Sequence, residues 1–216
     1  LLYRDNISAR ELMLIWPDSS PVVAGDCVAR ALGLRAQITE QQGWHKTISN
    51  VPIDGIVALA QDIDFDLLDS STQAGLLNAG QITTIINHDG RRFWGNRTCA
   101  GEDQPEFSFE SAVNTSHALQ YLIASVFQPF FDQPMTIGLV KDLIESANAE
   151  ARAWTAKGWI MGAKFELDPG TNTAEQLAAG RPSFRFQYTP VAPLESPTVK
   201  LIITDYYYSG FADQLS

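Results

Sequence analysis

The sequence contains only two cysteines, Cys27 and Cys99, among 216 residues. Two thiols are too few for a disulfide framework, so we expect a reducing compartment. No run of about 18 apolar residues is present, which predicts that no helix spans a membrane. The formal net charge is −10, from 25 acidic and 15 basic residues. This balance argues against a general nucleic-acid binder, which normally carries a basic stripe.

Motifs for nucleophilic catalysis and phosphate binding are also missing. The sequence has neither the Gly-x-Ser-x-Gly elbow of many hydrolases nor a glycine-rich phosphate loop. Cys27 falls within an apolar helical pattern, which predicts a packed small side chain. Cys99 and His88 are separated by a predicted hairpin and match no Cys–His motif. We therefore expect no catalytic residues.

The residues that commonly bind metals do not form a ligand pattern. A zinc site needs closely spaced Cys and His, whereas the three histidines lie far apart, at His45, His88 and His117. A short acidic run lacks the central glycine and closing glutamate of an EF-hand, and comprises Asp62, Asp64, Asp66 and Asp69. A solvated loop explains this run better than a calcium site. The sequence predicts no metal and no cofactor.

The fold class predicted is α+β, beginning with a mixed α/β first half. Residues 10–17 form an apolar run that ends at a proline, as expected of a buried strand. Residues 18–20 supply a helix cap, and apolar residues follow at helical spacing from Val22 to Leu34. Residues 55–66 fit a helix or a strand equally well.

A hairpin is the clearest prediction in the first half. Residues 71–79 favour a short helix closed by Gly80, and residues 81–87 favour a strand. The His-Asp-Gly turn at 88–90 then leads into a second strand. Residues 98–105 are typical of a surface loop. We place a domain boundary there, between residues 1–105 and 106–216.

The second half is predicted to hold two or three helices and a small antiparallel sheet. Long helices are expected at residues 111–127 and 135–157, and a short one at 173–179. Residues 159–167 favour a strand. The polar face of the longest helix is expected to be exposed, with Lys141, Glu145, Asn148, Arg152 and Lys157.

The C-terminal tail alternates strand patterns with prolines. Residues 184–188 alternate aromatic and polar side chains, and residues 198–208 are β-branched and aromatic. Between them, Pro190, Pro193 and Pro197 favour a stiff, extended connection. The residues alone leave two interpretations open: an ordinary hairpin with a long connection, or a last strand held away from its own domain.

A block in the hairpin resembles the signature of contractile-tail sheath proteins, which occur in phages with contractile tails and in R-type pyocins. Its residues are Phe93, Trp94, Gly95, Asn96, Arg97 and Thr98. The segments 10–17, 159–165, 173–180 and 186–195 also resemble blocks of that family, in the same order. The resemblance covers essentially the whole chain.

The resemblance implies a structural protein and not an enzyme. Sheath subunits stack as a helical polymer around an inner tail tube, and the sheath shortens to drive the tube through a cell envelope. Expected partners are other sheath subunits, the tube protein, and baseplate and tail terminator proteins, without nucleic acid or membrane insertion. The expected location is the virion tail sheath, assembled in the host bacterial cytoplasm.

The resemblance also assigns roles to residues. Neighbouring subunits exchange terminal arms that add strands to a small sheet, which favours an arm at residues 198–208 and points to Val199, Leu201, Ile203, Tyr206 and Tyr208. The C-terminal domain lies nearest the tube, so Lys141, Arg152 and Lys157 are candidates for facing it.

For the signature block, we expect Phe93 and Trp94 to pack between the two halves and Arg97 to bind carbonyls or a carboxylate. Family members carry a longer N-terminal segment with a second arm, so we expect a fragment that does not build a tube. Its tail is then expected to fold back beside residues 184–188 or to pair with another molecule.

Two other functions remain open from the sequence. One is a cytosolic hydrolase-like enzyme built on the first half, with Cys or Asp chemistry. The other is the sheath of a type VI-like secretion apparatus.

Overall fold

Two separate sheets organise the chain, and the computed structural model describes residues 1–211. The first half contains β1 (Leu14–Ile15), α1 (Asp26–Gln41), α2 (Gln73–Ala79), β2 (Ile82–Asn87) and β3 (Arg91–Trp94). The second half contains α3 (Glu110–Phe127), α4 (Ile137–Ala156), β4 (Ile160–Leu167), α5 (Ala174–Ala178) and β5 (Phe184–Pro190). Short 3₁₀ turns occupy Arg4–Asn6, Pro105–Phe107, Gln128–Phe130 and Tyr206–Tyr208. This arrangement confirms the predicted α+β class.

The first sheet has the order β1-β2-β3, with β1 parallel and β3 antiparallel to β2. The hairpin is confirmed, and Ile85 pairs with Phe93 in its register. Its turn uses positive φ at both Asp89 and Gly90, which suits the twist of the flanking strands. The strand predicted at residues 10–17 is wrong in length. Only Leu14 and Ile15 are paired as strand, and both are half-buried.

Helix α1 begins at Asp26, four residues after the predicted start. Gly25 precedes it with φ +82°, outside helical geometry, and Val22 and Val23 are exposed. The Asp18 carboxylate accepts hydrogen bonds from the backbone N–H groups of Gly25 (2.5 Å) and Cys27 (2.9 Å). Asp18 therefore caps the N-terminus of α1, although it lies eight residues before the first residue of the helix.

One core fills the first half. Its buried side chains come from α1, β2, β3 and the intervening loops, and are Cys27, Ala31, Ile38, Ile48, Leu59, Ile85 and Phe93. The ambiguous segment 55–66 is neither helix nor strand. It supplies Leu59 to this core, which explains its apolar content.

A second core lies between α3, α4 and the β4–β5 sheet. Leu119, Trp154 and Ile160 are buried at its centre. Strands β4 and β5 pair antiparallel from Ile160 opposite Pro190 to Leu167 opposite Phe184. Asn148 was predicted to be exposed, but it is half-buried, because its amide bonds both backbone groups of Phe165 in β4 (2.8 and 2.9 Å).

The two halves meet at buried polar and aromatic contacts. Arg35 of α1 binds Glu110 of α3 at 2.8 Å, and the rings of Trp44 and Trp159 meet edge-on at 4.5 Å. The predicted surface loop at 98–105 is wrong at its start. Thr98, Cys99 and Ala100 are buried because Cys99 pairs with the backbone of Ala9 and Leu12.

Within residues 1–211, none of the helices combines the length and apolar character needed to cross a bilayer.

Candidate functional site

The C-terminal tail leaves the body of the chain as an exposed arm, which we define as residues 196–211. Seven of its large side chains are 70–103% exposed: the five predicted arm residues, Val199, Leu201, Ile203, Tyr206 and Tyr208, and also Ile202 and Tyr207. The strand predicted at 198–208 is absent, and so is the fold-back beside 184–188. A strand needs a ladder partner, and this segment has none among the described residues.

The β4–β5 sheet has unpaired edges of its own. Among the described residues, β4 and β5 pair only with each other, so each strand has one edge without a partner strand, although the Asn148 amide bonds the backbone of Phe165 in β4. Such an edge is a template for another strand. One chain thus presents both an unpaired apolar segment and a small open sheet.

The spacer, residues 191–195, joins β5 to the arm and ends in an ion pair. Both carboxylate oxygens of Glu195 accept hydrogen bonds from the Arg97 guanidinium, one of them from Nε at 2.9 Å. The remaining guanidinium nitrogen donates to Ser108 Oγ at 3.0 Å. The guanidinium also lies 4.0 Å above the Phe109 ring. Of the two kinds of partner expected for Arg97, carbonyls or a carboxylate, the structure shows a carboxylate, which comes from the spacer.

The signature block connects three parts of the chain through its backbone. Gly95 has φ +133°, and a Cβ there would lie 2.8 Å from Thr83 Cα, so a larger residue does not fit. The Asn96 carbonyl accepts from the Glu110 N–H at 2.9 Å. Thr98 Oγ1 donates to the Phe107 carbonyl at 2.7 Å. The block therefore ties the first sheet to the start of α3.

The expected packing of Phe93 and Trp94 between the halves is wrong. Phe93 is fully buried in the first-half core. Trp94 is half-buried and meets the ring of Phe65 edge-on at 5.1 Å. Adjacent strand residues point to opposite faces, so these two cannot share one environment. The aromatic contact between the halves that was predicted for Phe93 and Trp94 is made by Trp44 and Trp159.

A cavity of about 700 Å³ lies under the spacer. The spacer bounds it on one side, and the loop at residues 65–70 and β3 bound it on the other. Val191 and Pro193 of the spacer are half-buried, whereas Leu194 is exposed. The spacer therefore crosses open space between the end of β5 and Glu195.

The charged residues proposed to face a tube lie on the solvent side of α4. Lys141, Arg152 and Lys157 are all exposed. Arg152 binds Glu145 on the same helix at 2.5 Å, and Lys157 lies 4.6 Å over the Trp159 ring. The structure does not bring these three cations together with the arm.

The cysteines and histidines of the described residues lie in separate environments. Burial raises the pKa of both Cys27 and Cys99, which disfavours the thiolate. Burial and the nearby Arg35 lower the pKa of His45. His88 sits at the exposed hairpin turn. Within residues 1–211, His, Cys, Asp and Glu side chains form no cluster of three or more that suits a metal ion.

Sequence reasoning missed Glu195 and Ser108 as the partners of Arg97. Both are far from Arg97 or separated from it by a loop, so no local periodicity links them. The one available signal was that Glu195 closes the last block of the family resemblance.

Comparisons with known proteins agree on one family. The model for the phage tail sheath protein central domain matches residues 2–99. The chain is 40% identical to the tail sheath protein of Escherichia phage P2 over 99% of its length, covering 55% of that protein. It is 38% identical to the major tail sheath protein of Serratia phage KSP20, covering 96% of this chain and 54% of that protein.

A solved structure, the helical sheath of the anti-feeding prophage in its contracted state, has the same fold. The TM-score is 0.74 at 16% identity, covering 93% of this chain and 57% of that one. The chain spans about half the length of the curated relatives it matches. These agreements confirm the resemblance seen in the signature block, and the chain belongs to the phage tail sheath protein family.

Proposed function

We propose that this chain is part of a contractile tail sheath subunit that polymerises helically around an inner tube. Contraction of that polymer drives the tube through a cell envelope. Family membership supports this role, since the relatives are tail sheath proteins and a structural neighbour is a contracted helical sheath. The chain then acts as a structural and mechanical element and not as an enzyme.

The observation that carries the proposal is the arm, together with the open β4–β5 sheet. An extended apolar segment adds to an exposed sheet edge through ladder hydrogen bonds, while alternate side chains fill pockets. Here Leu201 and Ile203 are 91% and 103% exposed, so these side chains can be buried only against another molecule or by refolding of the tail. A contact in which one copy donates and the next accepts is head-to-tail, and it builds a helical filament when the rotation between copies does not close into a ring.

The remaining partners follow from the same role. Besides other sheath subunits, they are the inner tube protein, a baseplate protein and a tail terminator protein. The place of action is the virion tail sheath, after assembly in the host bacterial cytoplasm. Neither nucleic acid nor membrane insertion is part of this role.

Helix α4 is the proposed tube-facing element. Lys141 and Arg152 on α4, and Lys157 just after its end, present positive charge to solvent beside the exposed acidic side chains of Asp142, Glu145 and Glu150. Exposed charges of this kind steer and orient a partner more than they hold it. Arg152 is partly neutralised by Glu145, so Lys141 and Lys157 carry most of this proposal.

The test is the double variant L201D/I203D in the complete sheath subunit. We expect the parent to form tubes in negative-stain images and the variant to remain unassembled, because two charges replace the side chains that enter a neighbour. The free subunit should keep its melting temperature, since surface substitutions usually change stability by less than about 0.5 kcal/mol.

The matched control is L201I/I203V, which keeps an apolar strand and should assemble. If L201D/I203D unfolds the free subunit, the segment belongs to its own core. If the variant assembles like the parent, the arm does not join subunits.

A further inference from the structure

Glu195 is the last point at which the tail is bonded to the body. Among the described residues, the Arg97–Glu195 pair is the only hydrogen-bonded contact between residues 192–211 and the rest of the chain. All other hydrogen bonds in the arm are local, such as those within residues 204–211. The position of Glu195 therefore decides where the arm starts.

The guanidinium of Arg97 is held in place independently of Glu195. Ser108 Oγ accepts one of its N–H groups, and the Phe109 ring lies beneath its plane. The backbone of Arg97 also bridges that of Phe109, and Thr98 N–H donates to the Ser108 carbonyl at 2.9 Å. Because the guanidinium group is already oriented, it loses little conformational entropy when a carboxylate binds to it.

The spacer has few other supports along its length. Its upstream end is fixed where Pro190 pairs with Ile160 at the end of the β4–β5 ladder. From there it passes over the cavity of about 700 Å³. Proline stiffness limits its bending, but it does not choose its direction across this space.

We propose that Arg97 is the positioning residue of the arm. Two nitrogens of its guanidinium group bind the two carboxylate oxygens of Glu195, and this bidentate contact fixes the point and direction at which residues 196–211 leave the subunit. This inference rests on the proposed function, because the exit direction then selects which neighbouring copy the arm reaches. The signature block thereby sets the geometry of assembly through the spacer.

Distances between two spin labels test this clamp directly. One label is placed on the arm with V199C and the other on the exposed face of α4 with A149C. The native Cys27 and Cys99 are buried, so labelling falls on the two new sites. In the parent, we expect a narrow distance distribution.

In E195Q the distribution should broaden and shift, since the neutral amide loses the charge and one accepting oxygen. R97K should do the same, because a lysine keeps the charge but lacks the fork. Raising the salt to about 1 M should broaden the parent distribution towards that of the variants, since it screens an exposed pair. Melting temperatures should not change.

The control is E145Q, which breaks the exposed Arg152–Glu145 pair on α4 and leaves the spacer untouched. Its distance distribution should match that of the parent. If E195Q and R97K also match the parent, the prolines alone position the arm and the clamp is refuted.

Assembly is then scored separately in the complete sheath subunit. We expect E195Q to form tubes more slowly or with irregular subunit spacing. Normal tubes from E195Q would overturn the role in assembly. If the parent forms no tubes at all, the proposed function fails, while the label distances still decide whether Arg97 clamps the spacer.

Discussion

Phe93 and Trp94 are neighbours in the signature block but have opposite environments. Phe93 lies in the first-half core with no exposed surface, while Trp94 contacts Phe65 on the other face of the strand. The sheet pleat separates their contributions to stability. We therefore expect Trp94, although it is the larger side chain, to contribute less than Phe93 to the free energy of unfolding.

We expect Phe93→Ala to lower the free energy of unfolding by about 3–5 kcal/mol, as for other large-to-small core changes. Trp94→Ala should cost only about 1 kcal/mol, because it removes one edge-on aromatic contact at a half-buried site. Chemical denaturation of the two variants compares them directly. Equal losses would mean that Trp94 is part of the core.

At the scale of elements, α1 depends on a cap that lies outside its own sequence. Burial alone raises the pKa of Asp18, but hydrogen bonds from the backbone N–H groups of Cys27, Gly25 and Ser19 outweigh it and hold the pKa below its ordinary value. The folded state therefore favours the ionised carboxylate. Its contribution to stability is complete above the ordinary carboxyl pKa and is lost as the pH falls below it.

Asp18→Ala should lower stability by about 1 kcal/mol at neutral pH, the usual cost of losing a helix cap. The difference between variant and parent should shrink as the pH falls below the ordinary carboxyl pKa of about 4, and it should vanish below the lowered pKa of the folded state, where the parent carboxylate is itself protonated. Thermal unfolding across that range measures it. Asp142→Ala, at an exposed site on α4, serves as the control. A difference that persists unchanged in acid contradicts the mechanism.

Elements whose evidence is local were predictable from the sequence. Helices α3 and α4 carry long apolar stripes, and the β2–β3 hairpin carries its own turn residues. Residues 10–17 and 198–208 have strand composition, but strand formation depends on partners elsewhere, so their observed extent was not readable locally. For the same reason, Arg97 was expected to bind carbonyls or a carboxylate, but its partner Glu195 was not identified.

The whole molecule is held together by contacts that neither half makes alone. The side chains of Arg35 and Glu110 are only 18% and 11% exposed, and Asn114 also donates to the shared Glu110 oxygen. Beside them, Trp44 packs on Trp159. A buried charge of this kind makes the joint between halves sensitive to the loss of either partner.

Arg35→Ala should destabilise the chain by about 3 kcal/mol, because it leaves the Glu110 carboxylate buried without its main partner. Arg152→Ala, which breaks an exposed pair, should cost less than about 1 kcal/mol. Replacing both partners, with Arg35→Met and Glu110→Leu, should recover much of the loss. An additive loss in the double variant, measured by denaturant unfolding, would contradict this view of the joint.

The prolines of the tail have a consequence for the entropy of assembly. Ordering a backbone residue costs about 1–2 kcal/mol of conformational free energy, and in the proposed assembly this cost opposes the capture of a free arm by a neighbour. Pro197 in the arm is already restricted in φ before capture, and it restricts Ser196, which precedes it. Part of the ordering is therefore complete in the free subunit. In the proposed polymer, the affinity of one copy for the next then depends in part on how far the arm is restricted before capture.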